Sequence, residues 1–166
     1  KLTAHYENAK EKNLEGLIIK NPEDPYQAGA RSYSWIKLKT ADETLLEDSV
    51  DCVVLGYYHG KGVRTKCGLG GFLAGIFEEK FKTITKVGTG LTEDMLVKLK
   101  EICDKEKVKE VPKNVDMESS LTPDVIINPK IIVEIGADEI TISPRHTSKY
   151  ALRFPRLLKI RKDKSA

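Results

Sequence analysis

The sequence predicts a mainly β protein, with one complete barrel-like domain preceded by a smaller helix-and-strand segment. Three observations lead to this prediction. Five β-rich runs and one amphipathic helix follow one another after residue 50, the first forty residues hold only one helical pattern and two short strands, and an acidic, irregular stretch separates the two parts. We therefore expect the end of a larger domain at 1–40, a linker or hinge at 41–49 and a complete domain at 50–166.

The first forty residues are too few to bury a core of their own. Apolar residues recur at helical spacing over 2–9, and a short β-rich run follows at 14–20. After a loop that contains two prolines, residues 33–39 alternate, which places Lys37 and Lys39 on one face of a strand. We expect this segment to belong to a domain whose larger part lies upstream.

The second part has the element order of a small barrel. Its helix, expected at 92–105, is the clearest element: Thr92 suits the N-cap, acidic residues occupy the first turn, and apolar residues form one stripe. A proline-containing connection at 112–123 follows the helix. The expected strands are 50–58, 72–77, 81–87, 131–142 and 151–160. Three strands, a helix and two further strands is the order of a five-stranded OB-fold barrel.

The positive charge of the chain is concentrated at its end. The net charge is only +3, which by itself does not indicate a polyanionic partner. Residues 151–166 contain six basic groups and one acidic group, a balance of +5, so the other 150 residues carry 22 basic and 24 acidic groups, a balance of −2. Such a local excess requires an explanation of its own.

Composition excludes several classes of protein. With 40% apolar and 32% charged residues, the chain is expected to be a soluble globular protein, and no apolar run approaches the length of a membrane span. Three cysteines, none in a C-x-x-C pair, exclude a disulfide framework or a cysteine-based zinc site and favour a reducing, intracellular location. The chain begins with lysine and shows no signal peptide, so we expect a fragment. We also expect the protein to be a monomer and to be cytoplasmic, or nuclear in a eukaryote.

Four short elements contain residue types suited to phosphates and nucleic acids. Residues 15–20, E-G-L-I-I-K, have a carboxylate and an ammonium at opposite ends of one strand, and Lys37 and Lys39 form a compact cationic pair. A glycine-rich loop spans 56–71, and residues 153–164 interleave basic side chains with Phe and Leu. The basic residues of the glycine-rich loop are Lys61, Arg64 and Lys66.

Each of these elements also fits a purely structural role. The first two are compatible with solvated strand faces, the glycine-rich loop with a flexible hairpin, and the last segment with a solvated charged terminus. Residue types alone leave these alternatives open.

Taken in order, however, the motifs resemble those of one family. Residues 15–20 are similar to the E-G-x-x-x-K motif, and 35–39 to the W-x-K-x-K motif, of ATP-dependent DNA ligases, which are covalent nucleotidyltransferases. A-D-E-I-T-I-S-P at 137–144 resembles a stretch of archaeal-type members, and R-F-P-R-L-L-K-I-R-K-D-K at 153–164 resembles the closing motif. The chain thus resembles the end of the adenylylation domain plus the OB-fold domain of such a ligase.

The resemblance implies a division of roles around ATP and Mg²⁺. In these ligases a lysine of a K-x-D-G motif is adenylylated, and this chain contains no K-x-D-G, so the fragment alone is expected to be inactive. Glu15 then corresponds to a metal-site carboxylate, and Lys37 and Lys39 to α-phosphate contacts. The remaining implied ATP contacts are Lys20, which supports the same pocket, and Arg161 and Lys164, which orient the departing pyrophosphate.

The resemblance also implies that nicked double-stranded DNA is the partner. Phe154 corresponds to an aromatic residue that enters the minor groove near the nick, although a core position fits that side chain equally well. DNA replication, repair and recombination are the processes that such an enzyme serves. The expected DNA contacts are Lys61, Arg64, Lys66, Arg153, Phe154 and Arg156.

Two other functions remain open at this point. An RNA ligase or an mRNA-capping guanylyltransferase has a similar lysine-rich strand, and capping enzymes also close on R-x-D-K. A free-standing OB-fold module that binds nucleic acid without catalysis belongs to a different class. A K-x-D-G motif in the upstream sequence would favour the ligase over that module.

Overall fold

A computed structural model of the chain describes residues 2–12, 14–25, 28–29, 33–39 and 49–163. The chain divides into two compact units, 1–45 and 46–166. Of the linker predicted at 41–49, only Ser49 lies among the described residues.

The first unit contains the helix and the strand pair that the sequence predicts. Its elements are helix α1 (Leu2–Glu11), strand β1 (Gly16–Lys20) and strand β2 (Trp35–Lys39). The strands are antiparallel, and Ile18 lies opposite Lys37. Ala9 is the one buried apolar residue among those described in this unit, which agrees with a segment too small to form a core.

The second unit is a curled, mostly antiparallel sheet. Its strands in chain order are β3 (Val50–Tyr58), β4 (Gly71–Glu78), β5 (Lys80–Val87), β6 (Lys107–Val108), β7 (Val115–Asp116), β8 (Val125–Ile127), β9 (Ile132–Gly136), β10 (Glu139–Ile142), β11 (Tyr150–Arg153) and β12 (Arg156–Arg161). The main sheet has the order β12–β9–β3–β4–β5–β7, and β10 and β11 form a separate hairpin. A bridge between Thr89 and Arg156 brings the end of β5 to β12, so the sheet curls into a half-barrel. The predicted mainly β, OB-type fold is confirmed.

The predicted helix is present as α2 (Glu93–Asp104). The Thr92 hydroxyl accepts a hydrogen bond from the Met95 backbone N–H at 3.3 Å, as an N-cap does. Leu96, Leu99 and Cys103 are fully buried and join the main core with side chains from the sheet. Amphipathic periodicity therefore predicted both the helix and the face that it buries.

A second apolar cluster lies apart from the main core. Val53, Leu55 and Leu73 from the sheet pack with Val115 and Leu121. The latter two belong to the connection at 112–123, which also contains a short 3-10 helix, Ser119–Leu121. This connection therefore packs against one face of the sheet.

The two long strands predicted near the end of the chain are each divided. Residues 131–142 form β9 and β10, and 151–160 fall in β11 and β12. Phe154 has a positive φ of 50°, and Pro155 has no N–H to donate to a ladder, so the second run cannot continue as one strand. This division lets β9 pair with β12 while β10 pairs with β11.

All three cysteines are free and buried. Burial raises the pKa of the Cys52 and Cys103 thiols to about 12, so both are protonated at neutral pH. In the described part of the chain, no helix has the length and apolar character needed to cross a membrane.

Candidate functional site

The strand pair of the first unit brings three predicted site residues to one face. Antiparallel pairing sets Ile18 opposite Lys37 and Lys20 opposite Trp35, so positions 20, 37 and 39 share a face of the two-stranded sheet. The Lys20 ammonium lies 4.2 Å from the centre of the Trp35 ring, a cation–π contact. For Lys39 only the backbone position is described.

Glu15 and Lys37 form an ion pair at the end of this face. The Lys37 Nζ donates to Glu15 Oε1 at 2.7 Å, and both side chains are more than half exposed. An exposed pair of this kind contributes little free energy, so a phosphate or a cation can replace either partner at small cost. The residues predicted for metal and phosphate thus lie side by side.

In the second unit, Arg161 lies among three carboxylates. Its Nε and Nη2 donate to the two oxygens of Asp163 at 2.9 and 2.7 Å, a bidentate pair. Its Nη1 donates to Asp51 Oδ1 at 3.3 Å and lies 3.5 Å from Glu134 Oε2. The hydrogen bonds with Asp163 hold the pKa of Arg161 above its ordinary value and that of Asp163 well below its usual range. Lys164, the other predicted residue of this motif, lies outside the described residues.

The turn between β11 and β12 presents Phe154 to solvent. The residue is 55% exposed, so the core alternative for this side chain is wrong. The Arg153 guanidinium lies 5.2 Å from the ring centre and 3.4 Å from Glu139. Arg156 is more enclosed and donates to Asp138 at 2.9 Å. An aromatic ring and a cation therefore project together from one strained turn.

The glycine-rich loop contains a 3-10 helix, Gly62–Cys67, and its three predicted cations differ in their surroundings. Arg64 Nη1 donates to the Gly70 and Gly88 carbonyls at 3.0 and 2.5 Å, so this side chain fixes the loop against the sheet. The Lys66 ammonium pairs with Glu93 at 2.8 Å. The Lys61 side chain is exposed and has no ion pair within the described part of the chain.

Sequence reasoning missed the partners of Arg161 on neighbouring strands. Asp51 and Glu134 lie directly opposite each other across β3 and β9, 83 positions apart in the sequence. Only the register of the sheet brings them together, and no spacing in the sequence signals it. Ser49 extends this group, because its hydroxyl donates to Glu134 Oε1 at 2.6 Å.

Two family matches cover most of the chain. Residues 52–164 match the family described as ATP dependent DNA ligase C terminal region, and residues 1–39 match the ATP dependent DNA ligase domain. The chain belongs to the ATP-dependent DNA ligase family. The resemblance predicted from the motifs is thereby confirmed.

Individual DNA ligases of archaea and bacteria are similar over nearly the whole chain. It is 46% identical over 166 residues to a probable DNA ligase of Dictyoglomus thermophilum, covering 94% of this chain and 28% of that protein. It is 39% identical over 171 residues to DNA ligase 1 of Methanosarcina barkeri, covering 96% of this chain and 31% of that one. The chain thus spans less than a third of the length of these two relatives.

Solved DNA ligase structures share the fold. The ligase domain of LigD from M. tuberculosis superposes with a TM-score of 0.61 at 26% identity, covering 98% of this chain and 49% of that one. A mycobacterial DNA ligase D complexed with ATP and MES gives a TM-score of 0.56 at 25% identity, covering 98% and 48%. These ligase matches favour neither an RNA ligase, nor a capping enzyme, nor a non-catalytic OB-fold module.

Proposed function

We propose that this chain is the C-terminal part of a longer ATP-dependent DNA ligase that seals nicks in duplex DNA inside the cell. The observation that supports this most is the lysine face of β1 and β2. There Lys20 and Lys37 share one surface with position 39, and the Glu15 carboxylate lies beside them. Together with the family match, this face fits residues that handle the phosphates of ATP.

Three displacements at phosphorus make up the proposed reaction. A lysine of the upstream part attacks the α-phosphate of ATP, and the bond to pyrophosphate breaks. A 5′-phosphate of DNA then takes the AMP from that lysine, and the 3′-hydroxyl across the nick attacks this phosphate and displaces AMP. The nucleophilic lysine comes from outside these 166 residues, which contain no K-x-D-G.

Lys37 and Lys39 would contact the α-phosphate during these steps. Each displacement concentrates negative charge on the non-bridging oxygens, and fixed ammonium groups stabilise that charge more than the ground state. Lys20, held against the Trp35 ring, keeps a further cation on the same face. Opening of the Lys37–Glu15 pair frees the Lys37 ammonium for the phosphate.

Glu15 would be the carboxylate of this chain that holds Mg²⁺. Among the described residues, no group of three or more His, Cys, Asp or Glu side chains could hold a metal ion by itself. Mg²⁺ commonly binds one or two carboxylates together with substrate phosphates, so one exposed carboxylate beside a phosphate site fits this ion. Mg²⁺ supplies charge neutralisation on the phosphates when bound.

The second unit would bind the DNA through its backbone and shape. Phe154 and Arg153 project together from the β11–β12 turn, which suits an apolar wedge with a phosphate contact at the minor groove. The exposed Lys61 ammonium would contact a phosphate. Arg64 and Lys66 also stabilise the loop, through the Gly70 carbonyl and through Glu93. Arg156, which is paired with the Asp138 carboxylate, would leave that partner to contact a DNA phosphate.

Replacement of Lys37 by alanine in the full-length protein tests this function. We expect the rate of nick sealing to fall at least about a hundredfold, because one fixed charge at a reacting phosphate is typically worth that much. Lys130→Ala is the matched control, since the Lys130 side chain is also exposed and forms an ion pair, with Glu106 at 3.0 Å, outside the proposed site. Sealing by Lys37→Ala at the wild-type rate would show that the phosphate role is wrong.

A further inference from the structure

Two carboxylates outside the family motifs hold one edge of the Arg161 guanidinium. Arg161 on β12 lies opposite Ile132 on β9. Two residues further along β9, Glu134 lies opposite Asp51 on β3. Residues directly opposite each other on paired strands share a face, and so do residues two apart along one strand. Asp51, Glu134 and Arg161 therefore all project to the same side of the sheet. The sheet register, rather than a loop, fixes this group.

Three carboxylates share the donors of the Arg161 guanidinium. Asp163 accepts from Nε and Nη2, whereas Nη1 faces Asp51 at 3.3 Å and Glu134 at 3.5 Å. Both ends of the planar guanidinium are therefore fixed, and the side chain is only 20% exposed. A guanidinium held this way loses little rotational freedom when it meets a phosphate.

Glu134 is itself fixed from the side of the predicted linker. The Ser49 hydroxyl donates to Glu134 Oε1 at 2.6 Å, while the other oxygen of that carboxylate, Oε2, faces Arg161. Ser49 is the last residue of the predicted linker and directly precedes β3. The contact thus runs from the linker end through Glu134 to Arg161.

We propose that Asp51 and Glu134 are positioning residues that orient Arg161 for the pyrophosphate of ATP, and that Ser49 fixes Glu134 for this purpose. The proposal rests on the proposed ligase function. Of its three displacements, only the first involves pyrophosphate, whereas the later two involve AMP and DNA alone. Loss of either carboxylate therefore impairs formation of lysyl-AMP and spares the sealing of DNA that already carries AMP at its 5′ end.

The test measures these two steps separately in the full-length ligase. Asp51→Asn and Glu134→Gln keep the shape of each side chain and remove its charge. With each variant, single-turnover formation of enzyme-AMP from ATP is compared with single-turnover sealing of a pre-adenylylated nick. We expect enzyme-AMP formation to fall about tenfold or more and sealing of the pre-adenylylated nick to stay within about twofold.

Glu106→Gln is the matched control. Glu106 is also a half-buried carboxylate in an ion pair, and its side chain is 25% exposed, as is that of Glu134. It lies outside the proposed site, so both steps are expected to proceed at wild-type rates. Asp51→Glu, which keeps the charge, is expected to recover part of the lost enzyme-AMP formation.

Two results would overturn the proposal. Wild-type rates of enzyme-AMP formation in both Asp51→Asn and Glu134→Gln would show that Arg161 needs neither carboxylate. An equal loss of both steps would show that the cluster only stabilises the fold. A wild-type protein that forms no enzyme-AMP and seals no nick would instead refute the ligase function itself, which is a different outcome from either of these.

Discussion

Asp104, at the end of α2, provides a quantitative test of how the second unit is held together. The carboxylate accepts hydrogen bonds from Tyr57 at 2.7 Å and Lys100 at 2.6 Å, and the Lys107 ammonium lies 3.0 Å away. Burial by itself raises the pKa of Asp104, but the hydrogen bonds from Lys100, Tyr57 and Lys107 outweigh it and lower the pKa from 3.8 to about 2. The folded protein thus favours the charged form.

The sign of the effect on stability follows from this direction. A carboxyl whose pKa is lower in the folded state stabilises the protein fully above the unfolded pKa, and this contribution is lost as the pH falls through the folded one. A lowering of nearly 2 pH units is equivalent to about 2.5 kcal/mol. Because the side chain is 31% exposed, solvent screening reduces the expected contribution to about 1–2 kcal/mol.

Replacement of Asp104 by asparagine removes this charge and keeps the shape of the side chain. We expect the free energy of unfolding, measured by urea denaturation at pH 7, to fall by about 1–2 kcal/mol. The difference from wild type is expected to shrink between pH 4 and pH 2, as the wild-type carboxyl becomes protonated. The control is Glu101→Gln, an exposed position on the same helix, for which a change within about 0.5 kcal/mol is expected.

Two results would contradict a stabilising role of the Asp104 charge. In the first, Asp104→Asn is as stable as wild type at pH 7; in the second, the difference in stability between the two proteins is the same at pH 2 as at pH 7. The first result would show that the three hydrogen-bond donors add no net stability. The second would show that the loss of stability is unrelated to the charge of Asp104.

Three further predictions concern the helix cap, the sheet and the DNA contact. Thr92→Ala removes the N-cap of α2 and is expected to lower the free energy of unfolding by about 1 kcal/mol. An unchanged free energy of unfolding would show that the cap does not stabilise the helix. Gly56→Ala would press a methyl group into the Pro123 side chain, so we expect the free energy of unfolding in urea to fall by at least about 2 kcal/mol. At Gly88, where nothing lies within 4 Å of the added methyl, alanine is expected to be nearly neutral. Lys61→Ala is expected to reduce the slope of log K against log salt by about one in duplex DNA binding, and an unchanged slope would show that Lys61 contacts no phosphate.

Local patterns in the sequence predicted most of the secondary structure. Helix α2 and the strands up to β5 are specified by periodicity within one segment, and the structure has them within one or two residues of the expected bounds. The division of the later strands depends on the backbone at Phe154 and on pairing with distant strands. Apolar composition alone therefore could not show where those runs end.

The candidate site was predicted one strand at a time, and its contacts between strands were missed. Alternation placed Lys37 on a particular face, but its ion pair with Glu15 depends on how the chain enters β1. Arg161 was identified by its motif, whereas Asp51 and Glu134 contact it only because of the sheet register. Arg64 shows the same limit, since its partners are two backbone carbonyls, which no residue type marks in a sequence.

The proposed ligase function is tested directly by nick sealing with a protein that carries this chain together with its upstream part. The substrate is a duplex with one nick that bears a 5′-phosphate and a 3′-hydroxyl, incubated with Mg²⁺ and with or without ATP. We expect the nick to be sealed only with ATP, with one AMP released for each bond formed. Failure to seal, in a protein that also forms no lysyl-AMP, would contradict the proposed ligase function.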